Sequence, residues 1–148
     1  MTSNLYRRIL VAWDATPAAR AALRTATTMA AGKGIIYVRA VPTVTAHTET
    51  GGEERRDLRA QQDYLRAEFE AALVAASDVP VRFEWGETDD VAEDICAAAE
   101  RHGCDLLILG RQEDGGGGAG QTGARQTLAA VVEHAAVPVL IIPALRDQ

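Results

Sequence analysis

The stretch Gly115-Gly116-Gly117-Gly118-Ala119-Gly120-Gln121-Thr122-Gly123 has the most unusual composition in this chain of 148 residues. It lies between an apolar run of strand length and an amphipathic run of helix length. Glycine lets the backbone turn successive N–H groups toward one point, and a following helix adds unpaired donors and a partial positive charge. Such a concavity attracts an anion, most naturally a phosphate. A plain flexible surface loop is the competing reading. Four consecutive glycines leave little side-chain packing to offset ordering entropy, so Gly115 to Gly120 are expected to sample several conformations without a ligand. Gly118 to Gly123 matches GxGxxG in letter, but it stands well beyond its strand and lacks the ribose-binding acid, which discounts a Rossmann dehydrogenase.

Other reactive groups are sparse. The single lysine, Lys33, sits in no Walker-type motif, and the only serines, Ser3 and Ser77, occupy no nucleophile elbow. The clustered acids and late lysine of a response-regulator receiver are missing. His47 falls in a polar stretch, while His102 and His134 end helical runs near their negative poles, where capping or a solvated surface role is expected. Two cysteines, Cys96 and Cys104, form no CxxC and read as buried inert thiols in a reducing compartment.

The elements that must position these groups follow from periodicity. Arg8 to Trp13 is an apolar strand ending at Asp14. Thr16 and Pro17 open a helix whose alanine-rich face (Ala19, Ala22, Ala26, Ala30) allows close packing on a sheet. Gly34 to Val41 reads as a second strand, Thr43 to Glu54 as a polar loop, and Arg55 to Ser77 as a helix. Val79 to Trp85 reads as a third strand, half exposed at Arg82 and Glu84. A helix from about Val91 to His102, a strand Asp105 to Gly110, a glycine-rich loop Arg111 to Gly123, a last helix and a strand Val137 to Ile142 complete the order.

Alternation of this kind, with strands apolar almost throughout, requires a parallel sheet covered on both faces by helices. The expected architecture is a doubly wound α/β sandwich forming one domain over residues 1–148. Ligands in such folds bind outside the carboxyl ends of the strands, where strand order reverses. That directs attention to Asp14 to Thr16, Val41-Pro42, Trp85 to Thr88 and the region from Gly110 to Gln126.

Net charge is −6 with a pI of about 5.0, which disfavours nucleic acid as a partner. No apolar run approaches the roughly 18 residues of a membrane span. The N-terminal residues enter a strand directly without a signal-like region, so a cytoplasmic location is expected.

Three segments together resemble the universal stress protein family. These are Ile9 to Ala19, with its apolar strand, strand-end acid and alanine-rich helix; Cys104 to Arg111; and Val132 to Ile142. The resemblance spans essentially the whole chain in order. It implies a five-stranded sheet in the order 3-2-1-4-5, a homodimer through the last strand and, in one branch of the family, a bound adenine nucleotide, ATP or AMP. Magnesium would accompany ATP alone.

By that resemblance Asp14 and Ala15 approach the nucleotide, Val41 packs against adenine, and the segment after the fourth strand holds phosphate. The ATP-binding branch carries Gly-x2-Gly-x9-Gly-Ser/Thr there. Gly110 matches its first glycine, while Glu113 occupies the second. Counting forward from Gly110 reaches Gly123-Ala124, and counting back from Pro138 reaches Arg125-Gln126. Gly120 supplies a further N–H, and Arg111 and Arg125 offset phosphate charge. Trp13 departs from the small or aliphatic residue common at its position. Two functions remain open: a nucleotide-binding regulatory module, or a family member without nucleotide that works through its dimer and partner contacts. A slow ATPase would need a positioned base and metal ligands that the motifs do not supply.

The last strand, Val137 to Ile142, is expected at the sheet edge with no charge to discourage association. Pairing with its symmetry mate would satisfy the unpaired backbone of that edge.

Overall fold

The computed structural model describes residues 6–30, 34–42, 51–74, 79–86, 90–111 and 119–143, with backbone alone at 51–55, 74 and 119–125. His47, the run Gly115–Gly118, Glu113 and the tail 144–148 lie outside the described residues. The element order is β1 (Arg8–Trp13), α1 (Pro17–Met29), β2 (Ile35–Ala40), α2 (Gly51–Val74), β3 (Val81–Trp85), α3 (Val91–Arg101), β4 (Leu106–Arg111), α4 (Ala119–His134) and β5 (Val139–Pro143).

The five strands form one parallel sheet in the order β3-β2-β1-β4-β5, as expected. Order reverses between β1 and β4, which places the carboxyl ends of β1, β2 and β4 around one crevice.

Strand alternation sorts the core into two layers. Ile9, Val11 and Trp13 of β1 and Ile36, Val38 and Ala40 of β2 pack with Ala19, Ala22 and Leu23 of α1 and Leu65 and Phe69 of α2. On the opposite face Leu10, Tyr37, Leu107 and Leu109 pack with Ile95 and Ala98 of α3 and Val131 of α4. The small residues of α1 bring it so close to β4 that a Cβ at Gly110 would lie 2.5 Å from the Ala18 carbonyl carbon.

Trp13, 3% exposed, is a core residue with a polar anchor. Its indole N–H donates to the Leu65 carbonyl at 2.9 Å, and its ring meets Phe69 edge-on at 6.0 Å. Phe69 continues to Phe83 and Trp85, so an aromatic row fastens α2 across β1 and β3.

Several element boundaries differ from expectation by a few residues. Helix α4 begins at Ala119, so Gly120 and Gly123 are helical rather than part of a loop. Each costs about 1 kcal/mol relative to alanine, but propagation from the packed turns around Leu128 and Val131 carries the helix backward. Helix α2 likewise begins at Gly51 rather than Arg55. β5 runs from Val139 instead of Val137, because Pro138 has no N–H for the ladder and only its carbonyl joins, accepting from Leu107 at 3.0 Å.

Candidate functional site

A cleft of about 510 Å³ opens at the carboxyl ends of β1, β2 and β4. It brings together Asp14, Val41 and Gly110, three residues that sequence reasoning had assigned to a ligand. Trp13, Ala19, Gln61 and Leu65 line it on the α1/α2 side, and Val91, Ile95, Leu109, Thr127 and Leu128 on the α3/α4 side. Ala12 and Arg39 complete the wall. The lining is mostly apolar with a few polar groups, in the size range of small-molecule sites.

Asp14 is exposed, and its Oδ1 accepts from the Thr16 amide at 3.1 Å and the Thr16 hydroxyl at 2.5 Å. Thr16, not Asp14, is the N-cap of α1, its hydroxyl oxygen accepting from the Ala19 amide at 3.1 Å. The acid therefore orients the cap while remaining on the cleft wall. Between them Ala15 is buried and takes φ of 64°, a left-handed conformation that L-residues other than glycine rarely adopt.

Val41 is half-buried, and a Cβ on Gly86 would lie 2.6 Å from its Cγ2 and 2.4 Å from Asp94 Oδ2. Glycine at 86 thus makes room both for Val41 and for a buried acid. Gly110 also has a packing reason to be glycine, the approach of α1 described above.

Arg111 is exposed at the end of β4, and Gln126 is exposed on α4. Neither joins the described lining. Gly120, Gly123, Ala124 and Arg125 belong to the first turns of α4, whose amide ends suit an anion in general. Among the described residues no group of three or more His, Cys, Asp or Glu side chains is arranged to hold a metal ion. Of the described lining residues only Asp14 is a carboxylate.

Sequence reasoning missed Arg39. Its Nε and Nη2 donate to Asp94 Oδ2 and Oδ1, each at 2.8 Å, and Nη1 donates to Glu84 Oε1 at 2.8 Å. The Asp94 hydrogen bond and charge, with those of Glu84, outweigh burial and raise the Arg39 pKa above its ordinary value. Glu84 is shared with His102, whose Nε2 lies 2.9 Å from Oε1, and the His102 ring stacks on Tyr37 at 4.1 Å. The histidine expected to serve as a helix end or surface group is therefore also a packed partner of β2 and β3. His134 ends α4 and is exposed. The available signal was the charge at position 39 within an otherwise apolar strand, opposite Glu84 on its neighbour.

Cys104 is buried as expected, whereas Cys96 is half-buried. Burial pushes the Cys104 thiol up to about 11 and raises that of Cys96, so neither is a thiolate nucleophile at neutral pH.

Among solved structures, the chain resembles universal stress protein UspA from Lactobacillus plantarum, with 24% identity and a TM-score of 0.72 over 93% of this chain and 97% of that one. A universal stress protein family protein from Arabidopsis thaliana with AMP bound is 20% identical, with a TM-score of 0.65 over 95% and 94%. A universal stress protein in complex with cAMP is 18% identical, with a TM-score of 0.54 over 93% and 96%. A search of curated protein sequences found no match. At these identities the solved structures speak for the fold. The family itself rests on sequence: residues 5–143 match the universal stress protein family, and with the fold in agreement, the chain belongs to that family.

Proposed function

We propose that this universal stress protein binds an adenine nucleotide, ATP or AMP, in the cleft at the ends of β1, β2 and β4, and acts as a small cytoplasmic regulatory module. The observation that carries the reading is the convergence of Asp14, Val41 and Gly110 on one mostly apolar cleft of about 510 Å³. The AMP and cAMP complexes of similar proteins support it. In this reading Asp14 and Ala15 face the ribose side, Val41 packs against the base, and Gly120, Gly123, Ala124, Arg125 and Gln126 of α4, with Gly110 and Arg111 of β4, lie toward the phosphate. Magnesium would enter only with ATP, and Asp14 is the one carboxylate in the described lining. The protein works as a homodimer through Val137–Ile142, whose strand β5 stands at the sheet edge.

The test is calorimetry with ATP, ADP, AMP and cyclic AMP, together with chromatography of nucleotide released on acid precipitation. Asp14→Ala and Gly123→Val are each expected to weaken binding at least about tenfold, the loss of one charge-assisted contact or of close backbone approach. Absence of heat with all four nucleotides overturns the reading. One observation favours a family member without nucleotide: Gly110 is explained by the approach of Ala18 alone. In that case the dimer and its partner contacts carry the function.

A further inference from the structure

Arg39 lines the cleft, and its side chain is only 11% exposed. A guanidinium has five N–H donors. Nε, one donor of Nη2 and one of Nη1 are committed to Asp94 and Glu84. The bidentate grip on Asp94 fixes the plane of the group, and Glu84 fixes its rotation. Among the described residues, no acceptor pairs with the remaining donor on each terminal nitrogen.

Charge decides what those donors can serve. One guanidinium faces two carboxylates, with Asp94 10% and Glu84 25% exposed. Facing the cluster from α3 and its C-cap are the Arg101 guanidinium, 3.9 Å from Glu84, and the His102 ring. Arg101 is itself 56% exposed and solvated. Arg39 is therefore already neutralised, and a phosphate brought to it would meet two nearby carboxylates. An uncharged ring with acceptor atoms on its edge would meet donors held in place at no further ordering cost. The apolar neighbours in the lining, Ala12, Val91, Ile95, Leu109 and Leu128, suit the faces of such a ring.

We propose that Arg39 reads the base of the ligand: clamped by Asp94 and Glu84, it donates to an acceptor nitrogen on the edge of a purine bound with its base inward and its phosphate directed away. This rests on the nucleotide reading of the cleft and adds the residue that selects the base. Asp94 and Glu84 are positioning residues that act through Arg39.

The experiment compares calorimetric binding of adenosine and of AMP to the unmutated protein, to Arg39→Lys and to Arg39→Met combined with Asp94→Asn. Lysine keeps the charge but cannot hold Asp94 bidentately and face the cleft at once. The double variant keeps the net charge of the cluster while removing the donors, and thermal melts establish that each protein is folded. Both variants are expected to lose at least about tenfold in affinity, by the same factor for adenosine as for AMP. Unchanged affinity in a folded variant overturns the proposal, as does a loss confined to AMP, which would make Arg39 a phosphate contact. Failure of the unmutated protein to bind either compound defeats this proposal, and the nucleotide reading falls with it when ATP, ADP and cyclic AMP also give no heat. Should Arg39→Lys not fold, the double variant decides.

Discussion

Replacing Asp94 by alanine should be among the most destabilising single changes in the protein. The carboxylate is 10% exposed and accepts two hydrogen bonds from Arg39 at 2.8 Å each. Removing one partner of a buried pair typically costs about 3–5 kcal/mol, because the other charge stays buried. Here Glu84 still accepts from Nη1 at 2.8 Å, so Arg39 keeps part of its compensation and the expected cost is at the lower bound, about 3 kcal/mol. Against a total stability of roughly 5–15 kcal/mol that is a large fraction, and for a domain of this size it corresponds to a drop of roughly 6–12 °C in Tm. Urea unfolding of Asp94→Ala, Arg39→Met and the double variant measures it. The double variant should be less destabilised than the sum of the singles by more than about 1 kcal/mol, since the pair is lost together. Glu70→Ala is the control, because its partner Arg66 lies 3.3 Å away with both side chains about half exposed or more, and about 0.5 kcal/mol or less is expected. A loss below about 1 kcal/mol for Asp94→Ala, or simple additivity in the cycle, would refute the reasoning.

Ala15 adopts φ of 64°, so Ala15→Val should destabilise by about 1–2 kcal/mol or more, while Ala15→Gly should change stability by less than about 1 kcal/mol, relief of strain being offset by chain entropy and a lost methyl. Denaturant titration checks both. Because the Cys104 thiol is held up at about 11 against an ordinary 9.0, the unfolded chain loses that proton first as pH rises. Stability should therefore be undiminished by this group below about pH 9 and fall progressively between about pH 9 and 11, and Cys104→Ala should flatten that part of the profile measured by urea unfolding. At the sheet edge, Val139→Lys or Leu140→Lys should convert the proposed dimer to monomer or aggregate in light scattering, and an unmutated protein that is monomeric at tens of micromolar would defeat the dimer.

Much of the fold was legible along the chain because short apolar runs and longer amphipathic stretches have different periods. β1 has the expected boundaries, Arg8 to Trp13. Strand order 3-2-1-4-5 followed from the family resemblance, and the crevice at its reversal follows from that order. Asp14, Val41 and Gly110 were legible as cleft residues because each lies within a residue of a strand's carboxyl end.

Residues whose placement depends on packing were not legible. Gly120 and Gly123 read locally as loop, but helix propagation overrides a propensity of about 1 kcal/mol per glycine. Arg39 read as an ordinary strand residue because its partners are remote in the chain: Glu84 is 45 positions away and Asp94 is 55. No local pattern encodes such a pairing. Gly110 read as a phosphate glycine, while the approach of Ala18 supplies an independent reason for it. By itself the sequence determined the elements, their parallel stacking and the end of the sheet where a ligand would bind, because periodicity and strand termini are local properties. Only the tertiary structure decided which charges meet at Arg39 in the cleft wall and which glycines the packing requires, because burial and hydrogen bonding between distant segments exist only once the chain has folded.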